Sequence, residues 1–220
     1  MAGLVHASTG DSCSSEAGVR TRGRRRSLLK AQAILEGAKQ EFLERGFAAA
    51  SMDRIAALAG VSKATIYNHY GNKEGLFRAL TTLMVKRRVE DVFQDSLVTP
   101  GATDSTDELI ALADRILAVQ QRQPDMLDFL RLVIGESARC PDLAKVFVAE
   151  VEHHALERLV TIFSGISDRP ELKARMFIGT LMHTILFQDV LHGDAIDASA
   201  RRSLSRQLVE QLVSQPSCHG

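Results

Sequence analysis

A short stretch in the first half of the chain concentrates polar side chains that can donate hydrogen bonds. These donors are Lys63, Thr65, Tyr67, Asn68, His69 and Lys73. Hydroxyl, imidazole and ammonium groups donate to phosphate oxygens, while lysine and asparagine can also read base edges. The same stretch, "TIYNHYGNK", holds both tyrosines of the chain. These residue types indicate a surface that contacts nucleic acid.

The spacing around the donors predicts a helix-turn-helix. In "SMDRIAALAGVSKATIYNHY", Ser51 is a good N-cap for a helix that ends near Ala59. Gly60 can take the positive φ of a turn, and Ser62 can cap the next helix. In this motif the second helix enters the major groove and the first crosses the backbone. The residues expected on the groove-facing helix or its exit are Lys63, Ala64, Thr65, Tyr67, Asn68 and His69.

Individual positions suit different contacts. Lys63 can reach a guanine edge or a phosphate, and Ala64 can touch a thymine methyl group. Lys73 falls in the first turn of the fourth predicted helix, where backbone N–H groups and the helix dipole favour a phosphate. A plain corner between two amphipathic helices is the alternative, and the accumulation of donors argues against it.

The N-terminal segment carries a cationic run. Residues 1–26 have no apolar periodicity and end in "RTRGRRR", which predicts a disordered basic tail. Arg22, Arg24 or Arg25 could enter the minor groove, as homeodomain arms do. A solvated, solubilising tail is the alternative.

The formal net charge of zero conceals a division along the chain. Residues 20–90 contain 15 basic and 6 acidic side chains, whereas residues 91–220 contain 12 basic and 19 acidic ones. A basic front part joined to an acidic remainder is expected when only one domain meets a polyanion.

Helical periodicity continues through the chain, and no convincing strand pattern is present. The sequence therefore predicts an all-α protein of about nine helices. We expect a helix-turn-helix domain over residues 27–80, joined by a long fourth helix to a helical domain over residues 81–215. "VTPGATDST" is the best candidate linker. The predicted helices are 27–45 (ended by Gly46), one from after Ser51 to near Ala59, a short one capped by Ser62, 72 onward, 105–121, 124 onward, 141 onward, 170–192 and 198–213.

Composition narrows the class of protein. No apolar run is long enough to span a bilayer, and the N-terminus lacks the pattern of a signal peptide, so we expect a cytoplasmic protein. Cys13, Cys140 and Cys218 form no CxxC pair, which argues against a thiolate metal site. No nucleophile–base or carboxylate constellation stands out, so we expect no catalytic site, metal or cofactor.

Apolar residues of the second half could bind a hydrophobic small molecule or simply form core. The candidates for a cavity lining are Phe129, Phe147, Phe177, Met182 and Phe187. The strip "ARMFIGTLMHTILFQDVL" is too apolar for a helix with one wet face, which predicts a two-fold dimer interface formed with the last helix. A helix buried within one subunit is the alternative.

The stretch "MDRIAALAGVSKATIYNHYGNKEGLF" resembles the DNA-binding domain of the TetR family of bacterial transcriptional regulators. The resemblance implies phosphate contacts from Ser51, Thr65, Tyr67, His69 and Lys73. It also implies that Lys63, Ala64 and Asn68 face bases. Many members have Gly where Ala64 stands and Phe where Tyr70 stands, and the first difference could alter which bases are read.

The second half resembles the ligand-binding and dimerisation domain of AefR-like members through "FLRLVIGESARCPDLAKVFV". That resemblance implies a homodimer that leaves DNA when a small molecule binds. We therefore expect a sequence-specific DNA-binding regulator, a repressor released from a palindromic operator by a small-molecule ligand. An architectural DNA-binding protein and a DNA-acting enzyme that uses the motif for targeting are the alternatives.

Overall fold

The computed structural model describes residues 13–94, 105–118, 122–194 and 196–213. The side chains of residues 13–24 and 105 lie outside the described part. Within those ranges the chain forms nine helices and no strand, which confirms the predicted all-α class. They are α1 (Cys13–Ala49), α2 (Met52–Ala59), α3 (Lys63–Tyr70), α4 (Lys73–Phe93), α5 (Ser105–Leu117), α6 (Pro124–Glu136), α7, α8 and α9 (Ala198–Val213).

Two of the helices contain π-helical segments. Helix α7 runs through Pro141–Val151, the π-helical Glu152–Leu156 and Glu157–Ser164. Helix α8 runs through Pro170–Thr184 and the π-helical Ile185–Val190. A π turn holds more residues per turn than an α turn and is frequent at functional sites.

Proline and capping residues place most helix starts where the sequence predicts them. Pro124, Pro141 and Pro170 each open a helix, because a proline in the first turn has no N–H to leave unpaired. The last helix has the predicted bounds. Helix α8 ends at Val190 rather than His192. Residues 98–104 of the predicted linker lie outside the described residues, and its last two residues, Ser105 and Thr106, belong to α5.

The first helix differs from its prediction at both ends. It begins at Cys13 rather than at residue 27, so the described backbone of residues 13–26 belongs to α1. Arginine, alanine and glutamate are good helix formers, and no proline separates them from the amphipathic stretch that follows. Gly46, the predicted helix end, does take a positive φ of 75°, and helical pairing resumes after it as far as Ala49.

Two clusters of buried side chains support the helices. The cluster that we call the front core joins α1–α4 through residues such as Ile34, Phe42 and Phe77, and it also includes Phe129 of α6 and Leu143 of α7. The other cluster, the rear core, joins α4–α9. The rings of Phe77 and Phe129 stack with centroids 5.5 Å apart. Packing therefore crosses the domain boundary predicted near residue 80.

Polar contacts cross the same boundary. The buried carboxylate of Glu136 on α6 accepts the backbone N–H of Phe47 at 3.2 Å. A Cβ on Gly46 would stand 3.1 Å from that carboxylate oxygen, so the glycine lets α6 approach closely. Lys39 pairs with Asp125 at 2.8 Å. These contacts fix the front of the molecule on α6.

No helix in the described part of the chain is long and apolar enough to cross a membrane.

Truncating the ring at the centre of the front core should destabilise the protein. We expect Phe129→Ala to lower the free energy of unfolding by about 3–5 kcal/mol, because it removes buried contacts and leaves a cavity. Ile134→Ala on the same helix is the control, since Ile134 is 42% exposed and should change stability much less. Urea unfolding followed by circular dichroism measures both, and equal losses would contradict the role of Phe129.

Candidate nucleic-acid interface

Helices α2 and α3 each bury one apolar face against α1. Ile55 and Ala56 on α2 and Ile66 on α3 are buried in the front core. Arg54 lies on the outer side of α2 and pairs with the buried Glu41 of α1 at 2.8 Å. Because α3 has only eight residues, burial of Ile66 fixes which of its faces points to solvent.

The turn between α2 and α3 has the predicted backbone geometry. Gly60 takes φ 63° and ψ 34°, the left-handed conformation that glycine adopts without steric cost. The Val61 N–H donates to Ala56 O at 3.0 Å, which closes the end of α2. Ser62 then caps α3 by accepting the Thr65 N–H at 3.2 Å.

The predicted donors lie together on the surface. Lys63, Ala64, Tyr67, Asn68 and His69 are exposed on α3. Ser51, just before α2, is exposed as well. Thr65 is half-buried, and its hydroxyl lies 2.8 Å from that of Ser62. The face opposite Ile66 is thus polar and accessible.

Lys63 is held in place by an acidic neighbour. Its ammonium bonds to the Asp53 carboxylate on α2 at 2.8 Å, and that hydrogen bond raises the pKa of Lys63. Both side chains are largely exposed, so the pair contributes little to stability. Its effect is to direct Lys63 along the surface between α2 and α3.

Lys73 makes contacts that the sequence does not predict. Its ammonium donates to the backbone oxygens of Ala48 at 3.1 Å and Ala50 at 3.2 Å. It also lies 4.8 Å from the centre of the Phe47 ring, a favourable cation–π distance. Lys73 therefore joins the start of α4 to the connection between α1 and α2, with one of its three donors still available.

A cleft of about 210 Å³ lies between α1 and α3. Its walls are formed by Arg26, Ser27 and Lys30 from α1 and by Thr65 and His69 from α3. Sequence reasoning missed Arg26 and Lys30. Their spacing of four residues on one helix is the signal that could have found them, since it places both cations on one face.

Arg22 and Arg24 belong to α1, but their side chains lie outside the described residues.

The five predicted cavity-lining residues are not brought together. Phe147 and Met182 do line one apolar cavity. Phe129 is buried in the front core, and Phe177 packs edge-on against Phe163 in the rear core. Phe187 is exposed and stacks on His183. The cavity has further walls from α4 that the sequence reasoning missed, among them Arg88 and Val89.

Comparison with known proteins decides the family. The model of the bacterial regulatory proteins of the tetR family matches residues 34–80. The model of the AefR-like transcriptional repressor C-terminal domain matches residues 107–213. The chain belongs to the TetR family.

Individual TetR relatives agree with this assignment. The transcriptional repressor AcnR of Corynebacterium efficiens is 40% identical over 67 residues, which are 30% of this chain and 36% of the repressor. The chain thus matches little more than a third of that relative's length. A TetR-family regulator from Mesorhizobium loti has a TM-score of 0.74 at 23% identity, covering 86% of this chain and 97% of the other.

A second solved structure is the flavonoid-responsive regulator FrrA. It has a TM-score of 0.69 at 26% identity and covers 86% of this chain and 98% of its own. The likeness extends over both halves of the TetR fold.

The turn of the motif gives a direct stability test. We expect Gly60→Ala to lower the free energy of unfolding by about 1–2 kcal/mol, because alanine is strained at positive φ. Gly135→Ala is the control, since Gly135 is helical with open space where its Cβ would go. It should leave stability unchanged or raise it. Thermal unfolding compares the two, and a harmless Gly60→Ala would contradict the turn geometry.

Proposed function

We propose that this protein is a sequence-specific DNA-binding transcriptional regulator, a homodimeric cytoplasmic repressor that a small molecule releases from a palindromic operator. The observation that carries the proposal is the exposed polar face of α3 beside the cationic cleft of α1. A helix set in this way can enter the major groove while neighbouring cations meet the phosphates. We assign it no catalytic role.

The proposed contacts divide into two groups by chemistry. Hydroxyl, imidazole and ammonium groups around the edge of α3 would bind phosphates: Ser51, Thr65, Tyr67, His69 and Lys73, with Arg26 and Lys30 from the cleft and Arg22 and Arg24 beyond it. The residues most outward on α3 would face bases: Lys63, Ala64 and Asn68. The exposure of Tyr67, which is 43%, supports its place in the first group.

An apolar surface on α8 supports the dimer. Leu172, Met176, Phe187 and Leu191 are large apolar side chains that are about half exposed on α8 or directly after it. Gly179 lies on the same helix with open space around its Cβ position, which permits close helix approach. An isologous contact through α8 and α9 would cover these residues and present two α3 helices to one face of DNA.

A chain of aromatic rings supports coupling between the cavity and α3. Phe147 lines the cavity and lies 6.4 Å from Phe129, which stacks on Phe77 at 5.5 Å. Phe77 in turn lies 5.4 Å from Phe47, the ring under Lys73. Helix α4 also connects both places, because it begins at Lys73 and forms a cavity wall farther on. A ligand that displaces the aromatic rings or helix α4 would alter the packing that positions α3.

Selection of bound duplexes from a random pool tests the proposal. We expect an enriched inverted repeat whose half-sites lie about one helical turn or more apart, with affinity falling steeply as salt rises. Steep salt dependence without an enriched sequence would instead indicate an architectural binder. Absence of binding would refute the proposed function.

The two tyrosines form a matched pair for the phosphate contacts. Tyr67→Phe should weaken binding to all duplexes about 3- to 10-fold, because it removes one hydrogen bond to a phosphate. Tyr70→Phe also removes a hydroxyl, but that hydroxyl donates inward to Ala31 O at 3.3 Å. It should leave DNA affinity nearly unchanged. Fluorescence anisotropy with several duplexes measures both, and a loss confined to one sequence would contradict the phosphate role.

Lys63 should affect preference rather than general affinity. We expect Lys63→Ala to cost about 5- to 100-fold on the selected sequence and to relax the requirement at one base pair. Lys145→Ala is the control, because Lys145 is also an exposed lysine paired with a nearby aspartate. Repeating the selection with both variants decides the matter. An unchanged preference with Lys63→Ala would remove Lys63 from the base-reading group.

A further inference from the structure

A partly enclosed apolar cavity lies among helices α4 to α8. Its volume is about 150 Å³. Side chains from all five helices line it, including Phe93, Ile116, Leu130, Phe147 and Met182. An apolar cavity of about this volume stays dry and takes one molecule of the size of benzene. In this conformation of the protein, the cavity volume therefore limits the size of a ligand to about one ring.

Among the described residues, Arg88 on α4 is the one charged or polar side chain in the cavity lining. Its guanidinium donates to the backbone oxygens of Arg115 at 3.0 Å and Ile116 at 2.8 Å, at the end of α5. It also donates to the Asp91 carboxylate at 3.3 Å. These bonds use three of the five N–H groups, and the other two have no acceptor among the described residues.

The charge of Arg88 is already compensated. Burial lowers its pKa to about 10, so it remains a cation at neutral pH, balanced by Asp91 and the negative end of the α5 dipole. A second cation would be repelled here. An anion would lose its hydration among the apolar walls, and Arg88, the cation of the lining, is already paired with Asp91. Arg122, whose charge also lowers the pKa of Arg88, is not part of the lining. A neutral acceptor needs just one spare N–H group.

We propose that the cavity binds a small uncharged molecule, about one six-membered ring in size, whose single hydrogen-bond acceptor meets Arg88. The inference rests on the proposed function in that this molecule is the effector. Both π-helical segments reach the cavity wall, through Ala155 and Ile185. A functional site is a frequent setting for such segments.

Methionine methyl groups report on the cavity directly. Met126 and Met182 line it, whereas Met176 is exposed elsewhere. In the full chain labelled with ¹³C at its methionine methyls, titration with cyclohexanone should shift Met126 and Met182 saturably and leave Met176 unchanged. Methylenecyclohexane, which has the same shape without the acceptor, should bind about tenfold more weakly after correction for its lower solubility. Cyclohexanecarboxylate and cyclohexylammonium should bind more weakly still.

A pair of substitutions on α7 tests the location. Ala155→Leu fills part of the cavity and should weaken cyclohexanone binding at least tenfold. Ala149→Leu makes the same change at an exposed position and should not. Arg88→Leu, which has no hydrogen-bond donor, should abolish the advantage of the ketone over the hydrocarbon. If Ala155→Leu does not fold, the order of the four probes in the unchanged protein still decides.

The inference is overturned if no neutral ring binds, if the carboxylate or ammonium binds best, or if Ala155→Leu leaves binding intact. The duplex selection on the same preparation separates the two proposals. Specific DNA binding without ring binding would reject only the ligand class. Ring binding without any DNA binding would reject the regulator and keep the chemistry of the cavity.

Discussion

The stacking of Phe77 on Phe129 is the contact on which the remaining structure depends. One ring belongs to α4 and the other to α6, and both are fully buried in the front core. The helix-turn-helix therefore has no independent hydrophobic centre, because α6 supplies part of it. A change in the position of α6 must be accommodated by the helices that position α3, since close-packed interiors transmit small displacements rather than absorb them.

Polar groups define the same junction more narrowly. The Phe47 N–H donates to one oxygen of the buried Glu136 carboxylate, whose other oxygen is buried without a partner among the described residues. Loss of that hydrogen bond would therefore leave a buried carboxylate unpaired, at a cost in stability. Lys73 donates to the backbone oxygens of Ala48, at the end of α1, and Ala50, directly after it. Both contacts hold the segment between α1 and α2, and that segment leads directly into the helix-turn-helix. The position of α3 is thus set by directional contacts as well as by apolar packing.

Local signals in the sequence were sufficient for much of the candidate interface. Gly60 and Ser62 have the turn and cap roles that their residue types predict, because those roles depend on the neighbouring backbone alone. Five of the residues expected on the groove-facing helix are exposed, and Thr65 is half-buried, because burial of Ile66 fixes the orientation of α3. Prolines located three helix starts for the same local reason.

Contacts between distant segments could not be predicted in that way. The spacing of Arg26 and Lys30 places both on one face of α1, but they approach His69 only because α1 extends past α3, which the local sequence does not predict. Phe129 and Phe147 are the same residue type, yet Phe129 lies in the front core and Phe147 lines the cavity. The rotation of each helix about its axis decides which of the two environments its phenylalanine enters. Arg88 lies on an apolar face of α4, and the backbone oxygens that accept its hydrogen bonds belong to Arg115 and Ile116 of α5.

Native-state hydrogen exchange at increasing urea would test most directly whether the front core is one cooperative unit. A shared front core predicts that the slowest amides of α1, around Ala38, and of α6, around Val133, exchange through a common opening with the same free energy and urea dependence. Separate openings, with α6 exchanging while α1 stays protected, would contradict a shared core. The link between the cavity and α3 would then need a different physical basis.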